Sequence, residues 1–460
     1  MIRAIFSALI LSFMLVESIP SAAAHELRKS VQVALSSNPT IKAHDAAVRT
    51  AALELLEMRG TYLPTVSVFA GLGPEYVDDP NGLSVVDNAR TKTSREIGLV
   101  ASLPLFDGYK RANTVFTRAA QLDRTMFEYL DASETMALLV VQAHMDIVRN
   151  QNILATANDH LNRHLDIARR VREQVSGGKL PLSDQLQVES RVETLRITIS
   201  EISNELEMSR SRYRELVGTP NVPGLNAPGL PSLPPSLDAL IASSVQNNFR
   251  VKQAQASVDV RRFEKFTNEA EYLPQVNLRA GASVGADLDG ASGNENRSFI
   301  SIDLDWKLFN GGRAERRAAL LERQNEALYL RMATMREVQH IAENAWSSYQ
   351  SSQRIATIAA KQVALNNDLV EQYTLEFQLD TRSLLDLLIG ETELFRSRIE
   401  LINAKAGATF NAYRMLAAQS RLAQYFGIDS TGEALLLAVQ ANESQKPFDV
   451  IDRAVPIVKR

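Results

Sequence analysis

Two histidines have a spacing that could bind a metal ion. His160 and His164 would lie one turn apart on the same face of a helix, and imidazole nitrogen is a common zinc ligand. No third ligand is apparent close to them, and the chain contains no His-Glu-x-x-His motif. We therefore predict that these histidines lie on a solvated helix face rather than in a metal site.

A second candidate is phosphate binding at Gly177-Gly178-Lys179. A phosphate loop of the Gly-x-x-x-x-Gly-Lys-Ser/Thr type also needs a glycine further upstream, which is missing here. With neither motif complete, the sequence predicts no enzymatic activity, no metal and no cofactor.

Composition narrows the classes of partner. The 460 residues carry a net charge of −4. Nucleic-acid-binding proteins usually carry an excess of basic residues, so no nucleic-acid partner is expected. Aromatic residues make up only 6%, and long stretches are rich in Ala, Leu, Glu, Gln and Arg, which favours helix. Cysteine is absent, so the chain can form no disulfide.

The first residues have the pattern of a secretory signal. Arg3 precedes the apolar run Ala4–Val16, and Ala22–Ala24 form an Ala-x-Ala-like cleavage site before His25. The run is shorter than the ~20 residues that a membrane-spanning helix needs. We therefore predict a signal peptide at 1–24 rather than a membrane anchor, and no comparable apolar run follows it.

The rest of the chain contains an internal repeat. Segments of the first half match segments of the second in the same order: Asn38 and Lys42 with Asn248 and Lys252, Thr61–Gly71 with Glu271–Gly281, Leu105–Gly108 with Leu308–Gly311, and Ser183–Leu186 with Leu385–Leu388. Repeated signals of this kind indicate duplicated structural units. We place repeat 1 at 25–217, repeat 2 at 236–426, and a weakly patterned, mobile tail at 427–460.

The segment between the repeats, 218–235, is dense in glycine and proline. That composition excludes a regular helix or a central strand. It is either a flexible interdomain linker or a packed connector, and the matched repeats favour the connector.

Each repeat contains a pair of predicted strands, at about 64–73 and 94–106 and at about 274–285 and 297–309. Apolar residues alternate with polar ones in each, as Val66 and Val68 alternate with Ser67, and as Ile302 and Leu304 alternate with Asp303. Transmembrane β-strands have this length and pattern, although a half-buried hairpin of a soluble domain would look the same locally. The polar loops Gly73–Thr93 and Gly285–Arg297 would be surface-exposed.

Four strands are too few for a closed barrel, and an open sheet edge cannot face lipid. If the strands span a membrane, the missing strands must therefore come from other copies of the chain.

A long helical tract follows each strand pair. Residues 111–175 and 313–377 are each about 65 residues, or roughly 100 Å at 1.5 Å per residue. Apolar or small residues recur at the heptad spacing of a coiled coil, for example at Leu122, Met126 and Tyr129. Each tract turns and returns, which predicts helical hairpins over about 111–217 and 313–422.

The two turns carry signals that end and start helices. In the first, Gly177 and Gly178 end a helix, and Ser183 or Asp184 could cap the next one. In the second, the cap candidates are Asp380, Thr381 and Ser383. On local grounds both turns could simply be helical hairpin loops.

The duplicated order of strand pair, Leu-Phe-Asp/Asn-Gly, long helix, turn and helix resembles that of the TolC-type outer-membrane efflux proteins, over about His25–Phe426. The resemblance implies a mainly α protein with a transmembrane β-barrel. Three copies would contribute four strands each to a twelve-stranded barrel, which a periplasmic α-helical tunnel continues. It also implies an outer-membrane location, contact with lipid, and partnership with a periplasmic adaptor and an inner-membrane ABC or proton-driven transporter that supplies the energy.

The same resemblance assigns roles to the turns. Arg382 would link to Ser183 or Asp184 and hold the entrance closed, and Asp386 of three copies would form an acidic ring. Phe377 stands where the family has a tyrosine that helps to lock the closed state, and Ile389 stands where it has a second aspartate. Adaptor contact would fall to the turn residues Gly178, Leu180, Pro181, Leu182, Thr381, Ser383 and Leu384.

The predicted function is an outer-membrane exit duct for a secreted protein or for small molecules. The adhesin-exporting members look most similar, on the segments Ala345–Tyr349 and Leu384–Glu393. The alternatives are a periplasmic coiled-coil adaptor and a structural envelope protein, neither of which needs four strands with a lipid-facing pattern.

Overall fold

The computed structural model describes residues 22–78, 90–220, 224–289 and 291–443. Repeat 1 contains α1 (Ala22–Ser37), α2 (Pro39–Gly60), β1 (Thr65–Val77), β2 (Arg90–Phe106), α3 (Lys110–Ser176) and α4 (Leu182–Val217). Repeat 2 has the same order: α5 (Leu237–Asn247), α6 (Phe249–Glu269), β3 (Gln275–Ala286), β4 (Asn294–Asp305), α7 (Arg313–Gln378) and α8 (Leu384–Ala418). The predicted duplication of a strand pair and a long helical hairpin is confirmed.

The helices and strands begin and end at residues whose backbone chemistry requires it. Pro64 follows α2 and directly precedes β1, where an extended conformation suits a proline-flanked chain. At the end of α4, Gly218 has φ 77°, and its N–H donates to the carbonyl oxygen of Arg214. Only glycine adopts that left-handed conformation without steric cost, so the helix ends there.

The four strands form one antiparallel sheet in the order β1-β2-β3-β4. The register places Val68, Leu99 and Ala282 side by side, and Leu278 beside Ile302, so that the apolar positions of all four strands share one face. The large side chains exposed on this face include Val66, Val68, Leu72, Ile97, Leu99, Ile300, Ile302 and Leu304. The predicted two-faced sheet is therefore confirmed.

The strand ends differ from the expectation at two places. The ladder of the first pair continues into the predicted loop as far as Val77 and Arg90. In contrast, β4 ends at Asp305 rather than near 309, because Asp305 pairs with Gln275 and the preceding Pro274 has no N–H to extend the ladder.

Chain contacts divide the described residues into two compact units. One comprises the segments up to Asn38, Met136–Leu233 and Ala345–Met415, and the other comprises Pro39–Thr135, Pro234–Asn344 and the segment from Leu416. The sheet belongs to the second unit. Within α3, the heptad positions predicted from sequence are all buried: Leu122, Met126, Tyr129, Ser133, Met136, Val140, Ala143 and Ile147.

Apolar or small residues at heptad spacing also form a seam along α7, and this seam is buried only in part. Ala342 and Val370 are buried, whereas Leu321 and Met332 remain exposed on this chain. An exposed stretch of a coiled-coil seam lacks the partner helix that would cover it.

Part of the predicted mobile tail is helical. After α9 (Leu422–Tyr425), α10 (Ser430–Glu443) packs against α2 and buries Ala434 and Ala438. Asp429 starts α10, since its Oδ1 accepts from the N–H of Gly432 at 2.9 Å. Residues 444–460 lie outside the described residues, as does the predicted signal peptide except Ala22–Ala24. No helix among the described residues is long and apolar enough to span a membrane.

Candidate functional site at the paired helix turns

The first turn reverses the chain between α3 and α4. Gly178 has φ 74°, and the N–H of Lys179 donates to the carbonyl oxygen of Gln174 at 2.8 Å. The expected cap at Ser183 or Asp184 is wrong, because α4 already begins at Leu182 and Pro181 precedes it without a side-chain cap. Proline has no N–H, so it leaves no backbone donor unpaired at this extended position before the helix.

The second turn repeats this geometry with different residues. Asp380 has φ 58°, the left-handed conformation that Gly178 adopts in the first turn, and aspartate tolerates it better than most side chains. Among the three predicted caps the structure selects Ser383, whose Oγ accepts from the N–H of Asp386 at 3.1 Å. Thr381 instead donates from Oγ1 to the carbonyl oxygen of Glu376 at 2.9 Å.

The helices that enter and leave the two turns share one apolar core. Its buried members come from α3, α4, α7 and α8: Ile167, Ala168, Val171, Val188, Val192, Phe377, Leu384, Leu387 and Leu388. Phe377 therefore serves packing, which its apolar ring suits.

The residues predicted to contact an adaptor differ in their solvent exposure. Gly178, Pro181, Leu182, Thr381 and Ser383 are exposed. Leu180 is half-buried against the apolar core, and Leu384 is buried within it. Contact through Leu384 would thus require its side chain to leave the core, whereas the five exposed residues can contact an adaptor where they stand.

Arg382 is the centre of the polar contacts at the second turn. Its Nε donates to Oε2 of Glu376 at 2.8 Å, its Nη1 lies 3.6 Å from Oδ2 of Asp386, and its guanidinium lies 4.4 Å from the ring centre of Tyr373. The hydrogen bond that Arg382 donates to Glu376 raises the pKa of Arg382, so the group is always charged. Sequence reasoning missed Glu376 and Tyr373, although both lie on the face of α7 that precedes the turn.

The predicted link from Arg382 to Ser183 or Asp184 is not formed within the described part of this chain. The two turns instead meet through Lys179, whose Nζ lies 4.0 Å from Oδ2 of Asp380. A link to Asp184 remains a prediction for contacts between copies.

Asp386 and Ile389 lie on the first turns of α8. Both side chains are substantially exposed, at 45% for Asp386 and 52% for Ile389. Asp386 therefore presents its carboxylate to solvent while lying near Arg382. Ile389, one turn further along α8, is apolar. A carboxylate at that position would have doubled the local negative charge.

The two helical histidines are not on a solvated face, so that prediction is wrong. His160 and His164 are each only 2% exposed, and Glu391 of α8 lies beside them, also 2% exposed. One ligand atom from each of the three lies within 4.8 Å of the others. The third residue was missed because it is distant in sequence, and no local pattern could reveal it.

The chain is similar over most of its length to three curated proteins, two of which are named for the outer membrane. It is 21% identical over 338 residues to the outer membrane efflux protein BepC of Brucella suis, which covers 72% of this chain and 73% of that protein. It is 23% identical over 429 residues to the outer membrane protein TolC of Escherichia coli, covering 87% and 83%. It is 24% identical over 359 residues to the alkaline protease secretion protein AprF of Pseudomonas aeruginosa, covering 75% and 72%. No protein-family model matches the chain.

Solved structures share this fold. The outer membrane protein VceC of Vibrio cholerae matches with a TM-score of 0.75 and 17% identity, over 87% of this chain and 99% of that one. The CmeC outer membrane channel of Campylobacter jejuni matches with a TM-score of 0.77 and 14% identity, over 90% and 89%. At these identities the likeness establishes the fold.

Proposed function

We propose that this chain, which belongs to the TolC-type outer-membrane efflux channels, controls passage through its duct at the paired helix turns. As a member of that family it lies in the outer membrane and is an exit duct for export. The gate, the copy number, the partners and the cargo are our inferences about this chain.

The observation that carries the proposed assembly of the duct is a sheet that is incomplete in one chain. Its apolar face is exposed, and β1 and β4 each leave one edge unpaired within the four-stranded sheet. An unpaired edge in lipid leaves backbone N–H and C=O groups without partners, at a cost of several kcal/mol each. Three copies that pair β1 with β4 of a neighbour close a twelve-stranded barrel. In the same assembly, the exposed seam of α7 can pack against a neighbouring copy.

The contacts of Arg382 support the proposed gate. A planar guanidinium offers a fork of donors that suits carboxylates, and Glu376 and Asp386 both lie within reach of it. The contact with Glu376 holds the second turn against the end of α7. In the assembled duct the three copies of Asp386 line the entrance and attract cations.

We infer the partners from the family resemblance, and the names of two relatives support the choice of cargo. The exposed residues of the turns suit docking of a periplasmic adaptor, and an inner-membrane transporter supplies energy, since the duct itself has no nucleotide-binding motif. One relative is named for secretion of an alkaline protease and another for efflux. Export of a protein, with an adhesin as the specific candidate, is our first choice, and efflux of small molecules is the second.

Single-channel conductance in planar bilayers tests the gate. Arg382→Ser removes both carboxylate contacts, so we expect a larger conductance, and Glu376→Gln should act in the same direction. The double variant should differ little from either single variant, because both changes remove the contact between Arg382 and Glu376. Asp386→Ala should weaken block by multivalent cations.

Arg396→Ser is the matched control. Arg396 lies on α8, the helix that follows the turn; it is 74% exposed and pairs with Glu393 at 3.1 Å, away from the turn. Exposed ion pairs contribute little individually, but three symmetric copies add their effects on one equilibrium. If Arg382→Ser and Arg396→Ser give the conductance of the unaltered trimer, Arg382 does not hold the gate.

A further inference from the structure

A buried polar cluster joins the first repeat to the second within one compact unit. His160 and His164 lie on α3, and Glu391 lies on α8. All three are almost fully buried, and their candidate ligand atoms lie within 4.8 Å of one another. Burial of polar groups costs free energy unless they are paired, so such a cluster requires a physical explanation.

Hydrogen bonding within the protein does not fully explain the cluster. Nδ1 of His160 lies 3.5 Å from Oε2 of Glu391, which exceeds the 2.7–3.2 Å of a normal N–H···O hydrogen bond. This buried nitrogen has no hydrogen-bond partner among the described residues. A buried ring nitrogen that faces a carboxylate without bonding to it is left with an unused lone pair or proton.

His164 is arranged as a metal ligand. Its Nδ1 lies 3.1 Å from the carbonyl oxygen of His160, where it donates as an N–H. That bond leaves Nε2 as the nitrogen with the free lone pair. Metal-ligating histidines characteristically donate their other ring N–H to a carbonyl or carboxylate in this way.

We propose that His160, His164 and Glu391 form a binding site for one divalent transition-metal ion of the Zn²⁺ class. Two imidazole nitrogens and one carboxylate oxygen are a known three-ligand set for Zn²⁺, and a water completes the tetrahedron. With bonds of 2.0–2.1 Å, tetrahedral ligands stand about 3.3 Å apart, so the ligand atoms must converge by up to about 1.5 Å. Small rotations of three side chains accomplish that movement.

The surroundings support a metal site. The ring of His160 stacks on Phe395 at 4.5 Å with an interplanar angle of 3°, which fixes its orientation. Burial holds the pKa of His164 at about 4, so this ring is neutral and able to coordinate at neutral pH. Burial alone would raise the pKa of Glu391, but His160 and Arg163 outweigh it and lower the pKa, so the carboxylate is ionised.

Arg163 is a cation that contacts the cluster through Glu391, and it has a second partner. Its Nε donates to Oε2 of Glu391 at 2.9 Å, and its Nη1 lies 2.7 Å from Oδ2 of Asp159. The side chain of Arg163 is 27% exposed. It can therefore stay with Asp159 as a metal ion approaches Glu391, and its contact with Glu391 need not compete with coordination.

A bound ion would link α3 to α8 near the turns. Coordinate bonds would add to the contacts that hold the two helices together, and because the ion binds the folded state it would stabilise that state. This inference concerns the helical hairpins alone and stands whether or not Arg382 controls the gate.

Metal content of the purified, tag-free protein in detergent tests the proposal. All proteins carry His25→Gln, because cleavage at the predicted site would otherwise leave an adventitious histidine at the N-terminus. After removal of metal with EDTA and equilibrium dialysis against Zn²⁺, we expect one Zn²⁺ per chain. His160→Gln and Glu391→Gln should each weaken binding by more than the ~10- to 100-fold typical of outer-shell changes.

The matched controls are His340→Gln and Glu393→Gln. His340 is exposed and bonds to Asn344, and Glu393 lies on α8 but pairs with Arg396 on the surface. Both controls should retain one Zn²⁺ per chain. Equal Zn²⁺ content in His160→Gln and His340→Gln would overturn the site.

Cobalt substitution gives a readout that needs no altered ligand. Co²⁺ added to the metal-free protein should produce visible d–d absorption of a four- or five-coordinate site with nitrogen and oxygen ligands, saturating at one equivalent. Zn²⁺ should displace it and raise the melting temperature. Absence of that absorption, with no Zn²⁺ retained, means that the cluster is only a buried polar contact.

Discussion

Asn38 and Asn248 occupy matching positions in the two repeats and make the same hydrogen bond. Nδ2 of Asn38 donates to the carbonyl oxygen of Leu216 at 3.1 Å, and Nδ2 of Asn248 donates to that of Ala418 at 2.9 Å. Both asparagines are buried. Each therefore ties the start of a short helix to the end of the returning long helix of its own repeat, which satisfies a carbonyl group that the helix end leaves unpaired.

Asn248→Ala should lower stability. Asn248 also accepts from the N–H of Arg250 at 2.9 Å. The substitution therefore removes the side chain that bonds to this N–H and to the buried carbonyl oxygen of Ala418. We expect a loss of about 1–3 kcal/mol. The midpoint of thermal unfolding, followed by helical circular dichroism at a fixed scan rate, should fall by several degrees.

Asn325→Ala is the control for that substitution. Nδ2 of Asn325 makes only an exposed contact with Glu322 at 3.4 Å. Its midpoint should stay close to that of the unaltered protein. An equal fall in both variants would mean that the buried amide contributes nothing specific.

At the scale of the strand, the sheet has one apolar and one polar face, and substitutions should report which face meets lipid. Leu99 is 52% exposed and Ile302 is 69% exposed on the apolar face. Arginine at either position should impair insertion into the outer membrane, by roughly 2–4 kcal/mol near the bilayer midplane. The measurement is the folded fraction recovered from outer membranes.

Ser67→Arg is a better control than Ser301→Arg. Ser67 lies on the opposite face, whereas Ser301 stands directly opposite Arg279, where a second arginine would add repulsion between like charges. Ser67→Arg should be mild because its side chain should face a wet lumen. Equal damage from Ser67→Arg and Leu99→Arg would show that the faces are misassigned.

At the scale of the whole molecule, one chain leaves two sheet edges open. We expect the protein to leave outer membranes only in detergent and to have the mass of a trimer. Because the chain contains no cysteine, a single cysteine in β1 and another in β4 can be scanned pairwise without background. Correctly registered pairs should yield a covalent trimer on denaturing gels, and neither single cysteine alone should do so.

A monomer that is soluble in the periplasm without detergent would contradict this assembly. It would also leave the apolar face of the sheet without a physical role. Failure of every cysteine pair to cross-link in an intact trimer would instead place the contact between copies outside β1 and β4.

The sequence by itself determined the elements and their duplication. Period-two alternation, the heptad spacing of α3, and glycine or proline at the helix ends act through neighbours in the chain, so they could be read without coordinates. The faces of the sheet followed as well, because alternate side chains of a strand point to opposite sides. Those local signals, in their duplicated order, were enough to indicate the family.

Only the tertiary structure decided which distant residues meet. Glu391 joins His160 and His164, Arg382 pairs with Glu376 and Asp386, Leu384 is buried, and α10 packs against α2. Burial and pairing depend on the neighbours that folding brings together, and residues remote in sequence leave no periodic trace of such contacts. The histidine pair was therefore misjudged as solvated, since its spacing showed that the two rings share a face but not what that face packs against.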